Sequence, residues 1–176
     1  MESIKPSFQC TEMVVVSPFS NADVEAAYSI FKQERINPWS LETFEKSALN
    51  GISLVAKFND AIVGYILLSS VLDETTIEDI TVDSTERRKG IARILIASSF
   101  DNARAAGQEH VFLEVRESNA SAIHLYRSSG FELIGERKNY YETELDRQHP
   151  EIVSNKSSPR ENALIMKKVL SPLSAN

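Results

Sequence analysis

Two stretches of this sequence hold residues whose types and spacing suit chemistry. The first is Val82-Asp83-Ser84-Thr85-Glu86-Arg87-Arg88-Lys89-Gly90-Ile91-Ala92-Arg93. It runs from the end of an apolar strand, through a short basic loop, into a helix. Gly90 lets the backbone approach a ligand without a Cβ in the way. Arg87, Arg88, Lys89 and Arg93 put positive charge around the helix start, and the first-turn N–H groups and the helix dipole add to that field. Such a turn suits a phosphate or pyrophosphate. Its spacing, Arg87-x-x-Gly90-x-Ala92, has neither the Gly-Lys-Ser/Thr of a Walker loop nor the Gly-x-Gly-x-x-Gly of a dinucleotide site. The plain alternative is a capped helix with a solvated basic first turn.

The second stretch runs from Leu113 to Tyr126. Glu114 sits among apolar neighbours, and a carboxylate inside a strand is costly unless it faces a cavity or has a partner. Its plain alternative is a surface carboxylate paired with Arg116. Glu78 and Asp79, on the preceding strand, are rival carboxylates for any general-base role. Tyr126 falls on the inner side of the following helix, as a candidate acid or a core tyrosine. Ser118 or Asn119 opens that helix, where the Asn119 amide could reach a ligand. His110, His124, His149 and Cys10 have no metal-ligand spacing.

The elements that must position these residues follow from periodicity and turn residues. Glu12–Val16 reads as a first strand that Ser17-Pro18 breaks. Ser20 and Asp23 resemble a capping box ahead of a helix with Val24, Ala27, Tyr28 and Phe31 at helical spacing. Ser40 caps a second helix, closed by Asn50-Gly51. Residues 52–58 and 61–68 form a hairpin about Asn59-Asp60, and 75–82 is the next strand. A helix to about Ala106 packs through Ala92, Leu95, Ile96, Ser99, Ala103 and Ala106, and Gly107 is its C-cap. Then come a strand from His110 to Val115, a helix ended by Gly130, a strand over 131–134 and a last strand over 163–169. Residues 137–160 read mostly as loop, and the alternating charges at Glu132, Glu136, Arg137 and Lys138 as a solvated strand face. The order predicts an α/β (α+β) fold, a mixed sheet with helices on both faces, as one domain over 12–170 between loose ends 1–11 and 171–176.

Composition sets outer bounds. A chain of 176 residues with 42% hydrophobic and 25% charged residues suits one soluble domain with a proper core. A formal net charge of −6 argues against broad nucleic-acid binding and favours a cationic partner. A single cysteine rules out an internal disulfide and fits a reducing compartment. No signal-peptide pattern is seen, and no apolar run approaches the ~18 residues of a membrane span. A cytoplasmic protein is the default expectation.

Arg87-Arg88-Lys89-Gly90-Ile91-Ala92, Asn119-Ala120-Ser121-Ala122, Leu125-Tyr126 and Gly130-Phe131 together resemble the GNAT family of acetyl-CoA-dependent N-acetyltransferases. Pro38-Trp39-Ser40, Val71-Leu72-Asp73-Glu74, Leu113-Glu114-Val115-Arg116 and Asn139-Tyr140-Tyr141 are similar to the bacterial ribosomal-protein alanine N-acetyltransferases within it. The resemblance covers 12–142 and 163–169. It implies the GNAT fold and acetyl-CoA as co-substrate, without a metal. The pyrophosphate would rest on Arg88–Arg93, with Arg87 standing where glutamine is common and Ala92 replacing a second glycine. Pantetheine would pair with Ile80, Thr81 and Val82, on a strand that usually carries a bulge. Asn119 would contact the cofactor, Glu114 would be the general base and Tyr126 the general acid. Trp39 and Tyr140 are candidate substrate contacts, with packing as the plain alternative. The implied acceptor is the α-amino group of an N-terminal alanine, that of ribosomal protein S18, attacked directly in a ternary complex. Two alternatives stay open: a lysine or small-amine acetyltransferase on the same fold, and a non-catalytic acetyl-CoA-binding module. Segment 143–161 is longer than the subgroup leads one to expect.

Overall fold

The computed structural model describes residues 14–35, 38–141 and 160–171. The expected loose segment 1–11, Cys10, His149 and most of segment 143–161 lie outside them. Among the described residues there are strands β1 (Val14–Pro18), β2 (Leu54–Phe58), β3 (Ala61–Val71), β4 (Glu74–Val82), β5 (His110–Arg116), β6 (Glu132–Tyr141) and β7 (Glu161–Val169). The helices are α1 (Val24–Gln33), α2 (Leu41–Ala48), α3 (Ile91–Ala105) and α4 (Ala120–Ser128). The strand order is β1-β2-β3-β4-β5-β7-β6. β4 and β5 pair in parallel, whereas β1–β2, β2–β3, β5–β7 and β6–β7 are antiparallel, so the expected mixed, mostly antiparallel sheet is found. No described helix is long and apolar enough to cross a membrane.

The residues fall into two compact units. The first holds the described residues up to Ser69 together with Asp79–Asn102. Its core gathers Val24, Ala27, Ile30 and Phe31 of α1, Phe44 and Ala48 of α2, Val55 of β2, and Tyr65 and Leu67 of β3. Phe44 is fully buried and meets Tyr65 edge-on at 5.4 Å, an arrangement favoured by the ring quadrupoles. Asn59 and Asp60 both have positive φ, at 49° and 63°, as the two-residue hairpin between β2 and β3 demands. β1 runs two residues past its expected end and includes Pro18, which pairs with Leu54. An edge strand tolerates the missing N–H.

The second unit holds Ser70–Glu78 and the described residues from Ala103 onward. Gly107 has φ +76° and its N–H donates to the Arg104 carbonyl, which closes α3 where the sequence placed its cap. The helix stripe differs in detail: Ile91 and Phe100 are buried, while Ala106 is exposed. β6 is the larger correction, because it continues to Tyr141 through residues 137–141, which the sequence assigned mostly to loop. Polar composition hid it. Among the described residues β6 pairs with β7 alone, and it is exposed along most of its length, so nothing requires apolar alternation. β7 likewise begins at Glu161, two residues before the expected start.

Asp23 anchors the entry to α1. Its Oδ2 accepts from the Ser20 N–H at 2.9 Å and from Ser20 Oγ at 2.6 Å, and its Oδ1 meets Lys57 Nζ at 2.6 Å. Burial works against the charge, but Lys57 and Ser20 outweigh it and hold the carboxyl below the usual carboxylate range. The contribution to stability is therefore complete above the unfolded-state value of about 4 and is lost as pH falls through the lower folded value. Asp23→Ala is expected to cost about 2–3 kcal/mol at neutral pH, as a lost cap plus a broken, partly buried ion pair. Denaturant titrations should show that gap shrinking below about pH 4. A gap independent of pH would contradict the assignment.

Candidate active site

The basic turn belongs wholly to the first unit. Asp83 opens it. Its N–H donates to the Val63 carbonyl at 2.9 Å, and its Oδ1 accepts from the Thr85 N–H at 2.9 Å and Thr85 Oγ1 at 2.6 Å. Those Thr85 bonds hold the Asp83 carboxyl below its usual range. Arg88 at φ +64° and Gly90 at φ +86° then reverse the chain into α3. The first helical bond runs from Ile94 N–H to the Gly90 carbonyl at 3.1 Å, so the N–H groups ahead of it are directed out of the helix start. Ile91 is buried and anchors that start, with Ala92 half-buried and Arg93 exposed. The geometry fits an anionic ligand such as a pyrophosphate.

The cations of the turn are not equivalent. The Arg87 guanidinium is ion-paired with Glu34 from the end of α1, and its Nε donates to the Val82 carbonyl at 3.3 Å. Lys89 Nζ pairs with Glu86 at 2.9 Å. Both carry structural bonds that spacing alone did not reveal.

Behind Ile80, Thr81 and Val82 the strands approach closely. A Cβ added at Gly64 would stand 2.9 Å from the Thr81 carbonyl oxygen, nearer than side chains come to backbone. One turn of strand away, Asp79 collects donors: the Arg35 guanidinium, Tyr65 Oη at 2.7 Å and Thr81 Oγ1 at 3.0 Å. Burial works against charge on Arg35, but Asp79 outweighs it and keeps the guanidinium protonated. Burial, with the Asp79 charge behind it, pushes the Tyr65 hydroxyl far above its ordinary value. Asp79, a rival base in the sequence, is thus engaged at both oxygens in an internal network. Glu78, the other rival, is exposed.

The second unit holds the other marked residues. On β5, Val111, Leu113 and Val115 are buried and alternate with Phe112, Glu114 and Arg116 on the opposite face. Glu114 Oε1 accepts from Arg137 Nη1 of β6 at 2.8 Å, not from Arg116. Arg116 donates to Glu161 of β7 at 3.2 Å and lies over the Tyr141 ring, 4.3 Å from its centroid. Burial raises Tyr141, and the nearby Glu114 charge adds to it. Burial opposes ionisation of Glu161 too, but the Ser118 N–H and Arg116 outweigh it and hold that carboxyl low.

Asn119 caps α4, with Oδ1 accepting from the Ala122 N–H at 3.1 Å. Its carbonyl oxygen is thereby used, and a ligand would meet its amide nitrogen. Tyr126 is buried and edge-on to Phe131 at 5.8 Å. Tyr140 is exposed and stacks under Arg137. In the first unit, Trp39 packs on Phe31 at 5.5 Å and its carbonyl accepts from the Tyr28 hydroxyl at 2.8 Å. Its ring serves packing there, whatever else it touches. Sequence spacing also missed that the β3–β4 turn brings Asp73 to Glu109 and His110, with ligand atoms within 4.8 Å of one another. The two carboxylates are exposed and accompany no other sign of a bound ion.

Residues 22–131 match the family model described as Acetyltransferase (GNAT) family. The chain belongs to the GNAT family of acetyltransferases. This acetyltransferase is 36% identical over 132 residues to the [ribosomal protein bS18]-alanine N-acetyltransferase of Salmonella typhimurium, covering 74% of this chain and 89% of that protein. With the same-named protein of Haemophilus influenzae it shares 32% over 155 residues, covering 88% and 97% of the two chains. The crystal structure of the ribosomal-protein-S18-alanine N-acetyltransferase from Escherichia coli resembles it with a TM-score of 0.77 at 32% identity, covering 93% and 98%.

The saturation of Asp79 separates its role from that of a proton acceptor. Asp79→Asn in this acetyltransferase should lower stability by about 2–4 kcal/mol, because Arg35 is left without its counter-charge. The folded fraction should keep kcat within about threefold, a loss far short of that for a general base. A hundredfold fall in kcat with unchanged thermal stability would reverse that assignment.

Proposed function

We propose that this acetyltransferase moves the acetyl group of acetyl-CoA to the α-amino group of an N-terminal alanine, with ribosomal protein S18 as the substrate, in the cytoplasm. The observation that carries this reading is the likeness to S18-alanine N-acetyltransferases along about nine tenths of their length, at roughly one residue in three. The likeness extends through residues of both units.

Each step falls to named side chains. The α3 turn, with Arg88, Gly90 and the first-turn N–H groups, holds the pyrophosphate. The edge formed by Ile80, Thr81 and Val82 receives the pantetheine arm, and the Asn119 amide nitrogen adds a donor. An N-terminal ammonium has a reference pKa of about 8, so a carboxylate can relieve it of a proton near neutrality. Glu114 is that carboxylate: it stands on the outward face of β5 and is partly solvent-exposed, while Asp79 is locked. The freed amine attacks the thioester carbonyl. A carbon–nitrogen bond forms, the nitrogen sheds its second proton to water, the carbon–sulfur bond breaks, and Tyr126 donates a proton to the departing thiolate. No acyl-enzyme is required. Trp39 and Tyr140 border the peptide, and the negative net charge favours a basic acceptor segment.

Incubation with acetyl-CoA and paired peptides tests this. One peptide begins with the S18 alanine, and the other has a blocked N-terminus and free lysines. Mass spectrometry should find acetyl only on the α-amine of the first. Modification of lysine alone would replace this reading with side-chain acetylation, and CoA binding without thiol release would leave a binding module. Glu114→Gln and Tyr126→Phe should each lower kcat about a hundredfold or more.

A further inference from the structure

The charged segment of β6 carries a residue that the proposed chemistry has not used. Arg137 was legible in the sequence only as part of a solvated face. In the structure its guanidinium donates to Glu114 Oε1 at 2.8 Å and lies 4.2 Å from the centroid of the Tyr140 ring.

The backbone explains how these side chains meet. β7 runs between β5 and β6, pairing Glu114 with Ile165 and Arg116 with Ala163 on one side, and Gly135 with Ile165 and Arg137 with Ala163 on the other. Glu114, Arg116, Ala163, Ile165, Gly135 and Arg137 therefore share one face of the three strands. Arg137 must cross β7 to reach Glu114, and it crosses at Ala163, whose side chain is too short to obstruct it. Beyond Arg137 the pairing with β7 shifts: Arg137 opposes Ala163, but Tyr141 opposes Glu161, so β6 spends two extra residues on the same span. Asn139 takes φ 54° within that bulge and its N–H is answered by Asn162 Oδ1 at 3.1 Å. The bulge redirects the following side chains. As a result the consecutive residues Tyr140 and Tyr141 each stack on an arginine, Arg137 and Arg116 respectively.

We propose that Arg137 is a positioning residue for acetyl transfer: supported by Tyr140, it holds one oxygen of Glu114 and so presents the other to the incoming α-amine. The inference rests on the reading of Glu114 as general base. An unrestrained glutamate has several rotamers, and only those aimed at the amine are productive. A guanidinium suits this task better than an ammonium, because its plane stacks on the ring while its edge donates. The same contact has a second consequence. An Arg137 that has already engaged Oε1 directs the cationic terminus of the substrate to the remaining oxygen, which fixes the direction of approach.

Steady-state kinetics on the full chain with acetyl-CoA and an alanine-starting peptide test the proposal. Arg137→Met keeps the length of the side chain and removes its charge. It should lower kcat about tenfold and leave the peptide KM within about twofold, since a group that only orients the base acts in the transition state. Arg137→Lys should recover part of the loss. Arg137→Met placed on Glu114→Gln should change the residual turnover less than twofold, because nothing remains to be oriented. Full, multiplicative losses in the double variant would overturn the proposal, as would a rise in KM alone, which would make Arg137 a substrate contact. Wild-type kcat in Arg137→Met beside a disabled Glu114→Gln would sink the positioning role and spare the base. Wild-type kcat in Glu114→Gln itself would sink the base and the proposal with it. Circular dichroism of each variant should match the parent, since the Arg137 side chain is half exposed.

Discussion

A carboxylate removed from water has to be answered by donors, and in the first unit Asp79 meets that demand as Asp23 does. Its side chain keeps only 12% exposure, and Arg35, Tyr65 and Thr81 all serve it. The bonds reach three elements at once: the segment after α1, the middle of β3 and the end of β4. Holding Arg35 also fixes its neighbour Glu34, which pairs with Arg87, and Arg87 in turn binds the Val82 carbonyl. The loop ahead of α3 is thus tied by a chain of charges to a partly buried ion pair. Apolar packing would hold these strands together with equal strength, but it would not aim the loop.

The second unit uses charge differently. Glu114, Arg137, Arg116 and Glu161 are partly exposed, and pairs of that kind contribute little to stability. What they provide is orientation. Each arginine is pinned from two sides, by a carboxylate and by a tyrosine ring, so the outward face of β5, β7 and β6 has defined side-chain directions although water reaches it. The first unit thus orders its backbone around a largely buried carboxylate, and the second orders side chains that water reaches.

Much of this was legible in the sequence because it is local. The capping signal at Ser20 and Asp23, the Asn59-Asp60 turn and the glycines at 107 and 130 act over a few residues, and each did what its chemistry predicts. The strand β5 was legible too, whereas the outward place of Glu114 came with the structure. What stayed hidden depends on partners remote in the chain. Asp79 looked like a free base until Arg35 arrived from 44 residues away. Arg137 looked solvated until β7, pairing with both β5 and β6, brought it to Glu114 across 23 residues. The far part of β6, over residues 137–141, read as loop because an exposed strand has no apolar face to announce it.

Pro18 bears on a hazard of a different kind. β1 is the first strand in the order, so one of its sides has no neighbour among the described residues. Exposed strand edges recruit other chains by continuing the ladder, and proteins spoil them with proline or charge. At Pro18 a docking strand would find a ring where it needs a donor. The far edge, β6, carries Glu132, Glu136, Arg137 and Lys138 instead. Both borders are therefore poor templates for intermolecular pairing, which lets an open sheet exist at cellular concentration without growing into a larger one.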